Sequence, residues 1–133
     1  MSEPDDIVYP TAEDLYNLAE QVLGRRPAVR DRHLLHKAAG RPALSAFGQA
    51  AYPTLFDKAA ALLHAVAAHH LFYDGNKRTA TAAVIWFLRA NGLRPVWDPQ
   101  QMAGFVLEIA QNRHEIPAIA AWLAEHTTPL EES

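Results

Sequence analysis

The chain contains no cysteine, so it can build neither a disulfide framework nor a thiolate metal site. It has no apolar run approaching the roughly 20 residues of a membrane-spanning helix. Its acidic start lacks the basic-then-apolar pattern of a secretory leader. These absences predict a cytoplasmic protein. No internal repeat or linker divides the 133 residues, which predicts a single domain over 1–133 with flexible ends at 1–9 and 127–133. What the chain has in quantity is apolar: half of its residues are hydrophobic and alanine is abundant, a composition suited to helices.

The formal net charge of −3 conceals an uneven distribution. The first 20 residues carry six acids and no Lys or Arg, whereas Arg25, Arg26, Arg30, Arg32, Lys37 and Arg41 are opposed only by Asp31. Such a run reads first as a solvated helix face. The alternative is an electrostatic landing zone for an acidic partner or for RNA.

Hydrophobic spacing and capping residues predict an all-α fold of about six helices. Thr11 caps the first, with Asp14 near its third position, and Gly24 ends it. A second is expected from about Ala28 to Ala39, closed by Gly40 and Pro42. Residues 41–53 lack a helical period and read as a loop or short hairpin before the central helix pair. Thr54 and Asp57 open the third helix, whose stripe is Leu55, Ala59, Leu62, Leu63, Val66 and Ala67, with His70 one turn beyond Val66. The fourth runs to Asn91, stopped by Gly92, with Ala80, Ala83, Val84, Phe87 and Leu88 on one face and Ile85 and Trp86 flanking it. That pattern predicts burial nearly all round. Asp98-Pro99 opens the fifth, with Met102, Phe105, Val106 and Ile109 inward, and Pro117 opens the sixth, with Ile119, Trp122 and Leu123.

Between the third and fourth helices lies His70-Leu71-Phe72-Tyr73-Asp74-Gly75-Asn76-Lys77-Arg78. Gly75, Asn76 and Lys77 fall where a loop becomes a helix N-terminus, whose free N–H groups and positive end favour an anion. Glycine allows a phosphate close approach to the backbone, although an ordinary C-capping glycine is the plainer reading of that residue alone. Lys77 and Arg78 can neutralise phosphate or form surface ion pairs. Asp74 suits Mg²⁺ shared with phosphate oxygens, or simply caps the fourth helix. His70 titrates in the range needed to take a proton from a hydroxyl, or is a satisfied core histidine. Phe72 reads as a core anchor for the loop.

The run H-x-F-x-D-G-N-K-R resembles the signature of the Fic/Doc family, H-x-F-x-(D/E)-G-N-(G/K)-R-x-x-R. Lys77 in place of the second glycine and Thr81 in place of the final arginine resemble the Doc branch, the toxins of Doc–Phd toxin–antitoxin pairs. The similarity extends loosely from Tyr9 to Leu123, including Tyr52-Pro53-Thr54-Leu55-Phe56-Asp57-Lys58-Ala59. The resemblance implies a Fic/Doc-like helical domain and transfer of the γ-phosphoryl group of ATP to a Ser or Thr hydroxyl of a protein, elongation factor Tu, arresting translation. His70 would be the base, Asp74 the Mg²⁺ ligand, and Gly75, Asn76, Lys77 and Arg78 the phosphate cradle. A flap containing Ser45, Ala46, Phe47 and Gly48 would hold the target, and a Phd-like antitoxin would block the site with a short helical segment.

The resemblance leaves AMP transfer open as an alternative, because most of the signature is shared. A binding module without activity is a further reading, opposed by the complete set His70, Asp74, Asn76 and Arg78. His64, His69, His70 and Asp74 could suggest a metal hydrolase, but their spacing forms no familiar two-histidine motif. Thr127 to Glu132 superficially approaches the inhibitory helix of some Fic proteins. Pro129 is poor inside a helix and its arginine partner is missing, so control by a separate antitoxin is expected.

Overall fold

Thr11 and Thr54 do what their spacing to Asp14 and Asp57 predicts: each closes a reciprocal capping box that starts a helix, α1 at Ala12–Leu23 and α3 at Leu55–Ala68. The computed structural model describes residues 6–130. Among them are four further helices: α2 at Arg32–Gly40, α4 at Asn76–Ala90, α5 at Pro99–Ala110 and α6 at Ile116–Glu125. Gly24 ends α1 with φ 72°, the left-handed cap its position predicts. Asp98 caps α5 by accepting from the N–H groups of Gln100 and Gln101.

The centre of the fold is α3. Residues 58–63 and 65–67 are buried, and the helix packs on α4, α5 and α6. Its abundant alanines let neighbouring backbones come close, and the gaps are filled by Leu62, Leu63, Phe72, Phe87 and Leu88. The expectation that α4 would be buried nearly all round fits α3 better, since Ile85 and Trp86 keep α4 half-open on one flank. Trp122 stacks between Phe105 and His126, at centroid distances of 4.3 and 3.9 Å, joining α5 to α6.

Three boundaries differ from expectation. The second helix begins at Arg32, capped by Asp31, and not near Ala28. Residues 28–31 instead hydrogen-bond to the signature loop: Arg30 and Asp31 donate to Leu71 O, Tyr73 donates to Ala28 O, and Val29 bridges Phe72. Those long-range bonds outweigh a local helical pattern. Second, α3 stops at Ala68, and His69 is extended, so His70 lies outside the helix.

Third, the ends are tied down wherever they are described. Thr127–Pro129 forms β4, antiparallel to β3 at Leu93–Pro95, and Leu130 N–H donates to Gly92 O, which corrects the reading of this stretch as a free tail. The edge of β3 supplies partners that the sequence of the tail does not advertise. Near the other end, Val8 exchanges two hydrogen bonds with the side chain of Asn91, and Tyr9 packs against Phe87. Residues 1–5 and 131–133 lie outside the described residues.

Residues 41–53 resolve into a 3₁₀ turn at Arg41–Ala43 and a hairpin of β1 (Ser45–Ala46) and β2 (Gln49–Ala50). The alternative of a short hairpin is the one realised.

Candidate active site

The signature loop is held from below by its apolar residues. Leu71 and Phe72 are fully buried, and the backbone bonds from residues 28–31 fix both flanks of Phe72. With those anchors inside, His70, Tyr73 and Asp74 are left exposed along the loop. The carbonyl of His70 accepts from Arg30 Nη1 at 3.4 Å, which orients the backbone but leaves the imidazole open to a substrate.

Gly75 is the N-cap of α4, with φ 78°. That left-handed conformation favours glycine, and a Cβ there would stand 2.9 Å from Leu23 Cδ2. No side chain caps α4, so its first-turn N–H groups are available to an anion. They border a cleft of about 340 Å³ lined by Leu23, Asp74, Gly75, Asn76, Lys77 and Arg78. Five of those six residues belong to the signature. Leu23, the sixth, was not singled out in the sequence, where it is one apolar residue at the end of an amphipathic helix.

The polar side chains of the loop divide into structural and open groups. Asn76 is structural: its Oδ1 accepts from Phe72 N–H at 3.0 Å and its Nδ2 donates to Phe72 O at 2.8 Å. This pair of bonds turns the loop into α4 and leaves the Asn76 backbone N–H, not its amide, on the cradle. Arg78 is half committed, with Nη2 donating to Val22 O at the end of α1. Asp74 forms an ion pair with Arg25, Nη2 to Oδ2 at 2.7 Å, with both side chains more than half exposed. Lys77 is exposed and forms no ion pair among the described residues.

Arg25 is the neighbour of the signature loop that sequence reasoning missed. It was visible only as part of a basic run, and nothing in spacing reveals that it meets Asp74 across 49 residues of chain. Thr81 lies one turn after Lys77, its hydroxyl 3.4 Å from Lys77 O. It lines a second, mainly apolar cleft of about 260 Å³ with Lys77, Arg78, Ala103, Val106 and Leu107.

The flap residues Ser45, Ala46, Phe47 and Gly48 are all exposed. Phe47 and Gly48 form the hairpin tip with φ 54° and 76°. Among the described residues no hydrogen bond joins this hairpin to residues 70–78, so it stands as a separate wall whose β edges are open to a peptide.

Residues 9–88 match the family model described as the Fic/DOC family. The chain is 40% identical over 118 residues to a protein named "Toxin Doc" from Mycolicibacterium smegmatis, covering 87% of this chain and 91% of that protein. It is also 36% identical over 66 residues to "Protein kinase doc" of Escherichia phage P1, covering 50% of this chain and 52% of that protein. With a helical fold to match and the signature loop lining a cleft at a helix N-terminus, the chain belongs to the Fic/Doc family.

Proposed function

We propose that this protein is a Doc-type toxin that transfers the γ-phosphoryl group of ATP to a Ser or Thr hydroxyl of a target protein, with elongation factor Tu the target implied by the family resemblance. The observation that carries this reading is the cleft at the start of α4, which joins an uncapped helix end, Lys77 and Arg78 to the exposed His70 loop. The name of the phage relative, a protein kinase, supports phosphoryl over adenylyl transfer.

In this mechanism the α4 N–H groups, Lys77 and the free part of the Arg78 guanidinium bind the phosphates. Asn76 keeps the loop in register through Phe72. His70 takes the hydroxyl proton as that oxygen bonds to the γ-phosphorus, and the bond to the β–γ bridging oxygen breaks to release ADP. Positioning and charge stabilisation supply most of the acceleration. Among the described residues no group of three or more His, Asp or Glu could enclose a metal, yet Asp74 is a largely exposed carboxylate beside the cradle, paired with Arg25 through Oδ2. That donor set fits Mg²⁺, which takes one or two protein carboxylates and completes its shell with phosphate and water. When bound, the ion neutralises charge on the triphosphate, and Asp74 would leave Arg25 to hold it. The hairpin at 45–50 would clamp the target peptide, and control would come from a Phd-like antitoxin whose short helical segment blocks the site. The proposed activity and target imply a cytoplasmic protein.

Paired labelling tests the reading. Nucleotide-depleted bacterial extract is supplied with ATP labelled at the γ-phosphate or at the α-phosphate, each with wild type and with His70→Ala. Label on a protein from the γ position alone, absent with His70→Ala, is the expected result, and the labelled band identifies the target. Label from the α position would make the protein an AMP transferase and overturn the assignment.

A further inference from the structure

Outside the phosphate cradle, a further small cleft of about 80 Å³ opens between α2 and α3, lined by Leu34, Lys37, Ala38, Arg41, Ala65 and His69. Two fixed cations and an imidazole border it, and no carboxylate does. The only ion pairs among the described residues are Arg25–Asp74 and Glu108–His114, so neither Lys37 nor Arg41 has an acidic partner. Arg41 is nevertheless held in place: Nε donates to the Tyr52 hydroxyl at 3.0 Å, and the guanidinium lies 5.9 Å from the Tyr52 ring centroid. Its Nη groups have no protein acceptor among the described residues. His69 is also fixed, Nδ1 donating to Ala65 O at 3.0 Å. Neighbouring His64 holds its proton less readily than usual, first through burial and only then through His69 and Arg41. Like charges brought together without a counterion are unfavourable unless an anion arrives.

The position of the cleft identifies which anion. Arg41 leads directly into the hairpin at 45–50, and His69 directly precedes His70. The cleft thus adjoins, along the chain, both the hairpin and His70, the two places that a target peptide would touch under the proposed function. The volume admits a carboxylate side chain but not a nucleotide, which needs a site of at least roughly 300 Å³. We infer that the Lys37–Arg41 cleft binds an Asp or Glu side chain of the target protein, close to the hydroxyl that is modified. This deepens the phosphotransfer reading and rests on it for the identity of the ligand, but its test does not need turnover.

The full chain, labelled with nitrogen-15, is titrated with N-acetyl-glutamate amide and, separately, with N-acetyl-glutamine amide while backbone amides are followed by NMR. Saturable shifts at Lys37, Arg41 and His69 are expected with the glutamate probe and not with the neutral one. Lys37 is exposed, so Lys37→Gln should fold normally and weaken the response about tenfold, the scale of one charge-assisted contact. Lys77→Ala should leave it unchanged. Equal shifts with both probes, or shifts confined to residues 75–78, would overturn the inference. So would displacement of the glutamate probe by ATP, which would assign the cleft to the nucleotide. Failure of the labelling experiment with a positive titration here would reject phosphotransfer while leaving an acid-binding cleft.

Discussion

Gly75 illustrates how much a single backbone position controls. Its φ of 78° and the 2.9 Å approach of Leu23 to a would-be Cβ act together, because the same left-handed turn, unstrained only for glycine, lies where α1 comes against the cleft. Gly75→Ala should cost roughly 1–2 kcal/mol for the left-handed backbone, with a further penalty from the clash. Adding Leu23→Ala should relieve the clash but not the backbone strain. Urea unfolding of the two variants measures that split, and full recovery in the double variant would show that φ is not the limiting factor. Asn76 is an equally local case. Its type and spacing suggested a phosphate ligand, while its amide is spent on Phe72.

At the scale of elements, the hairpin at 45–50 depends on a residue from another helix. Lys58 is buried in the first turn of α3, with Nζ donating to Tyr52 O at 2.6 Å and to Pro42 O at 3.4 Å. One ammonium thus ties together both ends of the flap. Burial lowers its proton affinity below the usual lysine value, and Asp57 opposes that shift. Lys58→Met removes a costly buried charge and orphans two carbonyls, so the change in global stability should stay within about 2 kcal/mol. The flap should respond far more. Ala51 N–H, bonded to Leu44 O at 2.9 Å, should exchange with solvent at least about tenfold faster than in wild type. Unchanged exchange at Ala51 would show that the hairpin holds itself without Lys58.

At the scale of the whole molecule the acid response is expected to centre on His64, which sits on α3 with Nδ1 buried and unbonded. Burial, then His69 and Arg41, lower its native pKa below 6.5, and a side-chain hydrogen bond with Asn112 only partly offsets them. Between that lowered value and 6.5 the unfolded chain binds a proton that the native chain does not, so stability rises with pH across this window. Unfolding free energy should therefore decline as pH falls below about 6.5 and level off once native His64 is protonated. His64→Gln should flatten this slope in urea melts between pH 4.5 and 7, roughly the window set by an ordinary histidine. An unaltered slope would assign the acid response to other groups.

The sequence by itself determined the order of the helices, most of their starts and the signature of the candidate site. Capping pairs Thr11/Asp14 and Thr54/Asp57, the Asp98-Pro99 start and the left-handed Gly24 act within a few residues, so they are readable in order along the chain. The signature at 70–78 was legible for the same reason: one short loop carries His70, Asp74 and the glycine that starts α4 together. Tertiary structure alone decided what those groups touch. It turned residues 28–31 from helix into partners of the loop, tied Thr127–Pro129 to β3, and brought Leu23 and Arg25 to a cleft formed mostly 50 residues later. Backbone groups bond wherever packing delivers a partner, and the sequence around a donor does not record which distant acceptor will arrive.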